Sequence, residues 1–268
     1  MQNLPESQKD TFKENGFLII DTEIPYTVLN QAVSDLAAYW GEARPEGASY
    51  ADGHRIQDAW KFSRSIKELA VCPTVLEVLT ELYDRKPLPF QTLNFPVGTE
   101  QPAHADSIHF NSEPFGMMCG VWIALEDVGM DQGPLVYYPG SHQLPEMNYP
   151  DIGLEPDKEN YRHYEDYLKD LIEKRNLKPY YGVMRKGEAL VWAANLLHGG
   201  ATQNNKSLTR HSQVTHYYFK NCKYWCPSRS RDERFYFKPQ WIPYGGIRNR
   251  LLNVAERLRG FRNGIRSE

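Results

Sequence analysis

The chain changes texture at Pro89, and that change constrains its fold more than any other feature. Before it, apolar residues recur at helical spacing. Val28, Leu29, Ala32, Val33 and Leu36 put one apolar face on a helix over residues 27–40. Ile66, Leu69, Val75, Leu76, Leu79 and Leu82 do the same over 65–84, where Pro73 marks the start of a second helix because its fixed φ suits a first turn. Residues 5–15 predict a short polar helix, and the apolar run 17–20 suits a buried strand. Residues 41–58 read as a loop. After Pro89, short apolar or aromatic runs are separated by Gly and Pro: 90–95, 117–125, 135–138, 189–192 and 212–219 all read as strands. Residues 145–178 interrupt them with Tyr, Asp, Glu and Lys, and 157–176 predicts a solvated helix inserted in the β region. Helices first, strands next, and no linker between self-sufficient cores predict α+β or mainly β architecture in one domain.

The charge balance excludes whole classes of function. With 31 basic and 34 acidic residues the net charge is −3, so no global basic field exists to hold nucleic acid by its phosphates. No run approaches the ~20 apolar residues that a membrane-spanning helix needs. The first sixteen residues are polar and acidic, without a secretory signal pattern, and only four cysteines occur in 268 residues. These features predict a cytoplasmic protein with no disulfide framework. Cys222 and Cys226 lack the second pair that a structural zinc site requires. Residues 247–262 place Ile247, Leu251, Val254, Leu258 and Phe261 on one helical face, with arginines elsewhere around it. They predict a terminal helix docked on the domain; the alternative is a contact with an anionic membrane or partner.

The chemistry concentrates at two places. His104-Ala105-Asp106 puts an imidazole and a carboxylate two residues apart, which on a strand is the same face. A second imidazole would complete the 2-His-1-carboxylate triad of non-haem iron oxygenases, and His198 is the candidate, just past the apolar strand 189–192. If 210–218 is a strand, Arg210, Ser212, Val214 and His216 share a face. A guanidinium fork beside a hydroxyl then fits a carboxylate, the anchor for a dicarboxylic co-substrate whose other end chelates the metal.

Longer stretches carry a family resemblance. The segment from Gln91 through Asn94 to Gly98, followed by His104-Ala105-Asp106, resembles the phytanoyl-CoA dioxygenase family. So do Val121-Trp122 leading to Leu125 and Val128, then Gln132-Gly133-Pro134-Leu135 and Tyr138-Pro139-Gly140-Ser141-His142. Gly187-Glu188 to Trp192, Leu197-His198-Gly199-Gly200, Asn204 or Asn205, and Arg210 are similar to its C-terminal signature, and Phe12 to Phe17 to its usual opening. Residues 145–180 and 221–268 match nothing general in the family.

The resemblance implies a double-stranded β-helix, or cupin-like jelly roll. One dioxygenase domain would span 1–268, with a helical part over 1–88, the jelly-roll core over 89–220 and a C-terminal extension over 221–268. It implies Fe(II), with 2-oxoglutarate and O2 as co-substrates. His104, Asp106 and His198 would be the iron ligands, and Arg210, with Ser212, would hold the distal carboxylate of 2-oxoglutarate. Asn94 would contact the iron-side carboxylate, with Gln91 competing because strand register is open by one residue. Halogenating relatives replace the carboxylate by a small residue; Asp106 keeps it, so hydroxylation of an unactivated C–H is the expected outcome. His142, in a Pro-Gly turn, reads as structural. For a small-molecule substrate the candidates are His109 and Asn111 beyond the ligand pair, Trp122, Tyr149 in the insertion, and Arg229 in Ser228 to Arg231. For His109, Asn111, Tyr149 and Arg229 the alternative is an ordinary solvated loop position, and for Trp122 it is packing. The polar insertion favours a hydrophilic metabolite or natural-product intermediate over a fatty acyl-CoA. Desaturation, cyclisation or epimerisation by the same iron chemistry, and a non-catalytic jelly-roll binding module, remain as alternatives. Oligomeric state is not legible.

Overall fold

A computed structural model describes residues 4–40, 55–157 and 159–245. The basic segment 247–262 and most of the loop 41–58 lie outside them.

The helices form where the apolar spacing places them. Helix α1 spans Glu6–Asn15 and ends at Gly16, whose φ of 78° lets the chain turn directly into strand β1, Phe17–Asp21. Helix α2, Tyr26–Leu36, buries Leu29, Ala32 and Leu36. Helix α3, Arg64–Ala70, starts where the Ser63 hydroxyl accepts the Ile66 N–H at 3.2 Å. Helix α4, Pro73–Tyr83, has Pro73 in its first turn, as expected.

Ten further strands follow: β2 Ile56–Gln57, β3 Pro87–Phe95, β4 Asn111–Glu113, β5 Met118–Ala124, β6 Leu135–Tyr137, β7 Tyr180–Tyr181, β8 Glu188–Ala193, β9 His198–Gly200, β10 Ser212–Phe219 and β11 Lys223–Trp225. All pairings are antiparallel. A six-stranded sheet runs β1-β8-β5-β10-β3-β2, a three-stranded sheet runs β7-β6-β9, and β11 pairs with β4. The architecture is mainly β with flanking helices, a jelly roll whose small sheet faces the large one.

The large sheet is buried on both faces, which explains its imperfect alternation in sequence. Along β5 and β8, Cys119, Val121, Ile123, Ala189 and Val191 pack on the helices with Leu29, Leu36, Ile66 and Leu79. Between them, Trp122, Ala124, Leu190 and Trp192 face Leu135 and Tyr137 of the small sheet. Each fully buried aliphatic side chain contributes on the order of 1.5–3 kcal/mol, so the helical layer is integral to the sheet it covers.

The insertion forms α5, Tyr161–Lys174, shorter than expected and not wholly solvated. Tyr164 and Leu168 are buried against Tyr149, Ile108 and Leu197. The four cysteines are free thiols. Among the described residues no helix is long and apolar enough to cross a membrane.

Candidate metal centre and its cavity

His104 and Asp106 do not sit on one strand as the triplet predicts. His104 makes an isolated antiparallel bridge to His198, and Asp106 opens a single 3-10 turn, Asp106–Ile108. The same-face relation survives because Ala105 between them is extended, at φ −117° and ψ 135°. His198 is the first residue of β9, not a residue past a strand end. Gly199 and Gly200 follow it because the segment 99–102 crosses them closely: a Cβ on Gly199 would lie 2.6 Å from the Gln101 carbonyl oxygen.

The three side chains converge. Nε2 of His104 and Nε2 of His198 each lie 3.9 Å from Asp106 Oδ1, and one donor atom from each residue lies within 4.8 Å of the others. Both imidazoles present the correct nitrogen. His104 Nδ1 is 3.0 Å from the Pro102 carbonyl oxygen and His198 Nδ1 is 3.0 Å from that of Leu196. A carbonyl only accepts, so each Nδ1 carries the hydrogen and each Nε2 keeps its lone pair for a metal. Burial, reinforced by His198, pulls His104 down to about 3, so it stays neutral at physiological pH. Burial opposes ionisation of Asp106, but His216, His198 and His104 outweigh it and hold the carboxyl well below the usual range.

A cavity of about 300 Å³ contains this cluster. At one end Arg210 is only 1% exposed. Its guanidinium donates to the Gly133 carbonyl at 3.0 Å and lies 5.8 Å from the Trp122 ring and 6.0 Å from the Phe95 ring. Arg210 Nε, Trp122 Nε1 and Ser212 Oγ are buried without hydrogen-bond partners. Burial pulls Arg210 down to about 10, so it remains charged at neutral pH. A buried cation ringed by uncommitted donors is what an anion completes. The residues therefore fit both a metal ion and a carboxylate co-substrate. Ser212 lies on the same face of β10 as Val214 and His216, which line the cavity.

The structure separates the two candidates on β3. Gln91 lines the cavity, and its Oε1 accepts from His216 Nδ1 at 2.8 Å. Asn94 does not reach the cavity: three positions along the strand it takes the opposite face, where its amide donates to Gln213 Oε1 at 3.3 Å. Among the substrate candidates, His109 and Trp122 line the cavity. Asn111 does not; it donates to Glu146. Tyr149 packs in the apolar cluster under α5, and Arg229 stacks on Phe235 with its guanidinium 3.9 Å from the ring centre. His142 also stays outside, its Nε2 3.1 Å from the Lys13 carbonyl.

Arg55, Gln57, Gln101 and Phe110 also line the cavity and were not singled out in sequence; Tyr161, one of the tyrosines the insertion offers, joins His109 at the second end, their ring centres 5.1 Å apart. Trp192 donates to Asp106 Oδ2 at 2.8 Å. The period-two pattern of β10 already aimed His216 at this face, whereas the roles of Trp192 and Gln101 depend on contacts between distant segments.

This fold is shared with known 2-oxoglutarate-dependent enzymes. EctD from S. alaskensis, solved with 2-oxoglutarate and 5-hydroxyectoine, superposes with a TM-score of 0.66 at 15% identity, over 88% of this chain and 85% of that one. The epimerase SnoN from nogalamycin biosynthesis, solved with Fe3+, alpha ketoglutarate and nogalamycin RO, gives 0.63 at 18% identity over 91% and 96%. In sequence, the zebrafish (Danio rerio) phytanoyl-CoA dioxygenase domain-containing protein 1 is 28% identical over 143 residues, 49% of this chain and 43% of that relative. The match thus spans less than half of the relative's length. The phytanoyl-CoA dioxygenase (PhyH) family model matches residues 12–212, and the chain belongs to that family. The family depends on Fe(II) and 2-oxoglutarate, and His104, Asp106 and His198 can hold the iron.

Proposed function

We propose that this chain is a dioxygenase that hydroxylates an unactivated C–H of a small, polar metabolite or natural-product intermediate, releasing succinate and CO2. The observation that carries the reading is the pairing, in one cavity, of a His-Asp-His donor set with a buried guanidinium that has no anion of its own.

His104 and His198 hold iron through Nε2, and Asp106 holds it through Oδ1. Arg210 and the Ser212 hydroxyl bind the distal carboxylate of 2-oxoglutarate, and Trp122 offers a further N–H at that end. Phe95, Leu135 and Val214 keep water away from it. When bound, iron and 2-oxoglutarate supply oxidative decarboxylation of the co-substrate coupled to oxidation of a C–H bond. The substrate occupies the second end, where Gln57, Gln101, Tyr161 and a neutral His109 offer hydrogen bonds and Phe110 an apolar wall. A cavity of about 300 Å³, part of it taken by 2-oxoglutarate, supports a compact substrate rather than an acyl-CoA. Four free thiols support a reducing, cytoplasmic setting.

The epimerase SnoN shares this fold, so product analysis must separate hydroxylation from epimerisation, cyclisation or desaturation. The assignment of iron and co-substrate is tested anaerobically. Fe(II) and then 2-oxoglutarate added to metal-free protein should give a visible charge-transfer band. His198→Ala should abolish it and Arg210→Ala weaken it. No band in folded wild type would favour the binding-module alternative.

A further inference from the structure

Asp106 has two oxygens, and only Oδ1 faces the two imidazole Nε2 atoms. Oδ2 is already engaged. Trp192 Nε1 donates to it at 2.8 Å, and His216 Nε2 lies 3.5 Å away, with His216 itself held by Gln91 through Nδ1. The Trp192 ring also lies 4.8 Å from the His198 ring, centre to centre. One side chain thus touches two of the three prospective ligands. The large sheet makes room for it: Trp192 pairs with Gly120 across β8 and β5, and a Cβ on Gly120 would fall 2.3 Å from the indole. Trp122, the other indole lining the cavity, has no partner for its N–H.

We infer that Trp192 is a positioning residue that reserves Oδ2 of Asp106 and so presents the carboxylate to the metal through Oδ1 alone. This rests on the metal site proposed above. With the indole N–H removed, Oδ2 is free to turn toward the metal. The carboxylate would then be free to rotate, and Oδ1 would no longer be held toward the two Nε2 atoms. Outer hydrogen bonds of this kind typically carry about 10–100-fold in metal affinity.

The test uses Co(II) as a visible probe beside Fe(II), in wild type and Trp192→Phe. Phenylalanine keeps an aromatic ring beside His198 but cannot donate. Affinity is read by competition with a chromophoric chelator, coordination by the Co(II) d–d spectrum, and folding by the melting temperature of the metal-free proteins. Trp192→Phe should bind either metal about 10–100-fold more weakly and give an altered Co(II) spectrum, beyond what any change in melting temperature explains. An unchanged affinity and spectrum would overturn the inference while leaving the metal site standing. Wild type that binds neither metal would overturn both. Should Trp192→Phe fail to fold, Co(II)-loaded wild type with 15N-labelled tryptophan decides. One strongly hyperfine-shifted indole N–H, slow to exchange with solvent, is expected; its absence refutes the contact.

Discussion

His104 and His198 are joined through their backbones: the His104 N–H donates to the His198 carbonyl at 2.8 Å, and the His198 N–H donates back at 3.0 Å. The two imidazoles are therefore placed by main-chain register, which survives loss of either side chain. His198→Ala should abolish tight Fe(II) binding yet leave a folded apoprotein, destabilised by about 0.5–3 kcal/mol. Metal titration and chemical denaturation of the metal-free variant check the two halves separately.

Arg210 carries an opposite expectation for stability. Its buried charge has no carboxylate partner, so exchanging it for an apolar side chain of similar reach removes a desolvation cost. Arg210→Met should leave the apoprotein's melting temperature unchanged or higher, while 2-oxoglutarate affinity falls about 100-fold or more. That figure follows from losing two hydrogen bonds to charge at about 1.5–3 kcal/mol each. Calorimetry on the metal-loaded proteins measures it. A matching loss of co-substrate-induced stabilisation should appear in thermal melts.

Gly199 can be tested without touching a polar side chain. A methyl there would meet the Gln101 oxygen at 2.6 Å and Pro102 backbone atoms at 3.1 Å, and neither is a flexible side-chain end. Gly199→Ala should displace the segment leading to His104, costing roughly 1–3 kcal/mol and weakening metal binding as well. A variant as stable and as metal-competent as wild type would show that segment 99–104 yields freely.

Acid should destabilise the metal-free protein before it reaches the carboxylate range. Burial pulls His109 down to about 4 and His104 to about 3, below the ordinary histidine value of 6.5. Between those values the unfolded chain binds protons that the folded one refuses, so stability rises with pH across that window and is lost as pH falls from about 6.5 toward 4. Denaturation curves from pH 7.5 to 4.5 should show the decline. His109→Gln should flatten it, because one of the strongly depressed histidines is gone.

The long elements were legible because they rest on local periodicity. Ile66, Leu69, Val75 and Leu79 repeat at helical spacing, and β5, β8 and β10 are apolar runs long enough to stand out. Strands of two or three residues were not. β9 is His-Gly-Gly, a sequence with no strand propensity, and it exists because Tyr137 and the segment 99–102 pair around it. The choice between Gln91 and Asn94 hinged on which face of β3 is inward. A register irregularity near His216, where Phe90 is left without an opposite residue, hides that phase from a reading of β3 alone. Nothing local marks Trp192 as a partner of Asp106, since their contact spans 86 positions of sequence.

Tyr161 sits where two hollows meet. It lines the metal cavity and also an outer groove of about 870 Å³ that includes Arg162, Glu165, Asp166 and Lys169 of α5. The helix that carries it buries Tyr164 and Leu168 in an apolar cluster with Tyr149, Ala105 and Leu197, and the last two are chain neighbours of His104, Asp106 and His198. One side of α5 thereby lines the groove, and the other bears on the segments that carry the candidate ligands. Change at Arg162, Glu165, Asp166 or Lys169 alters the groove alone, whereas change at Tyr164 or Leu168 reaches the packing under His104, Asp106 and His198. A designer would accordingly vary only the groove-facing positions of this helix and keep Tyr164 and Leu168.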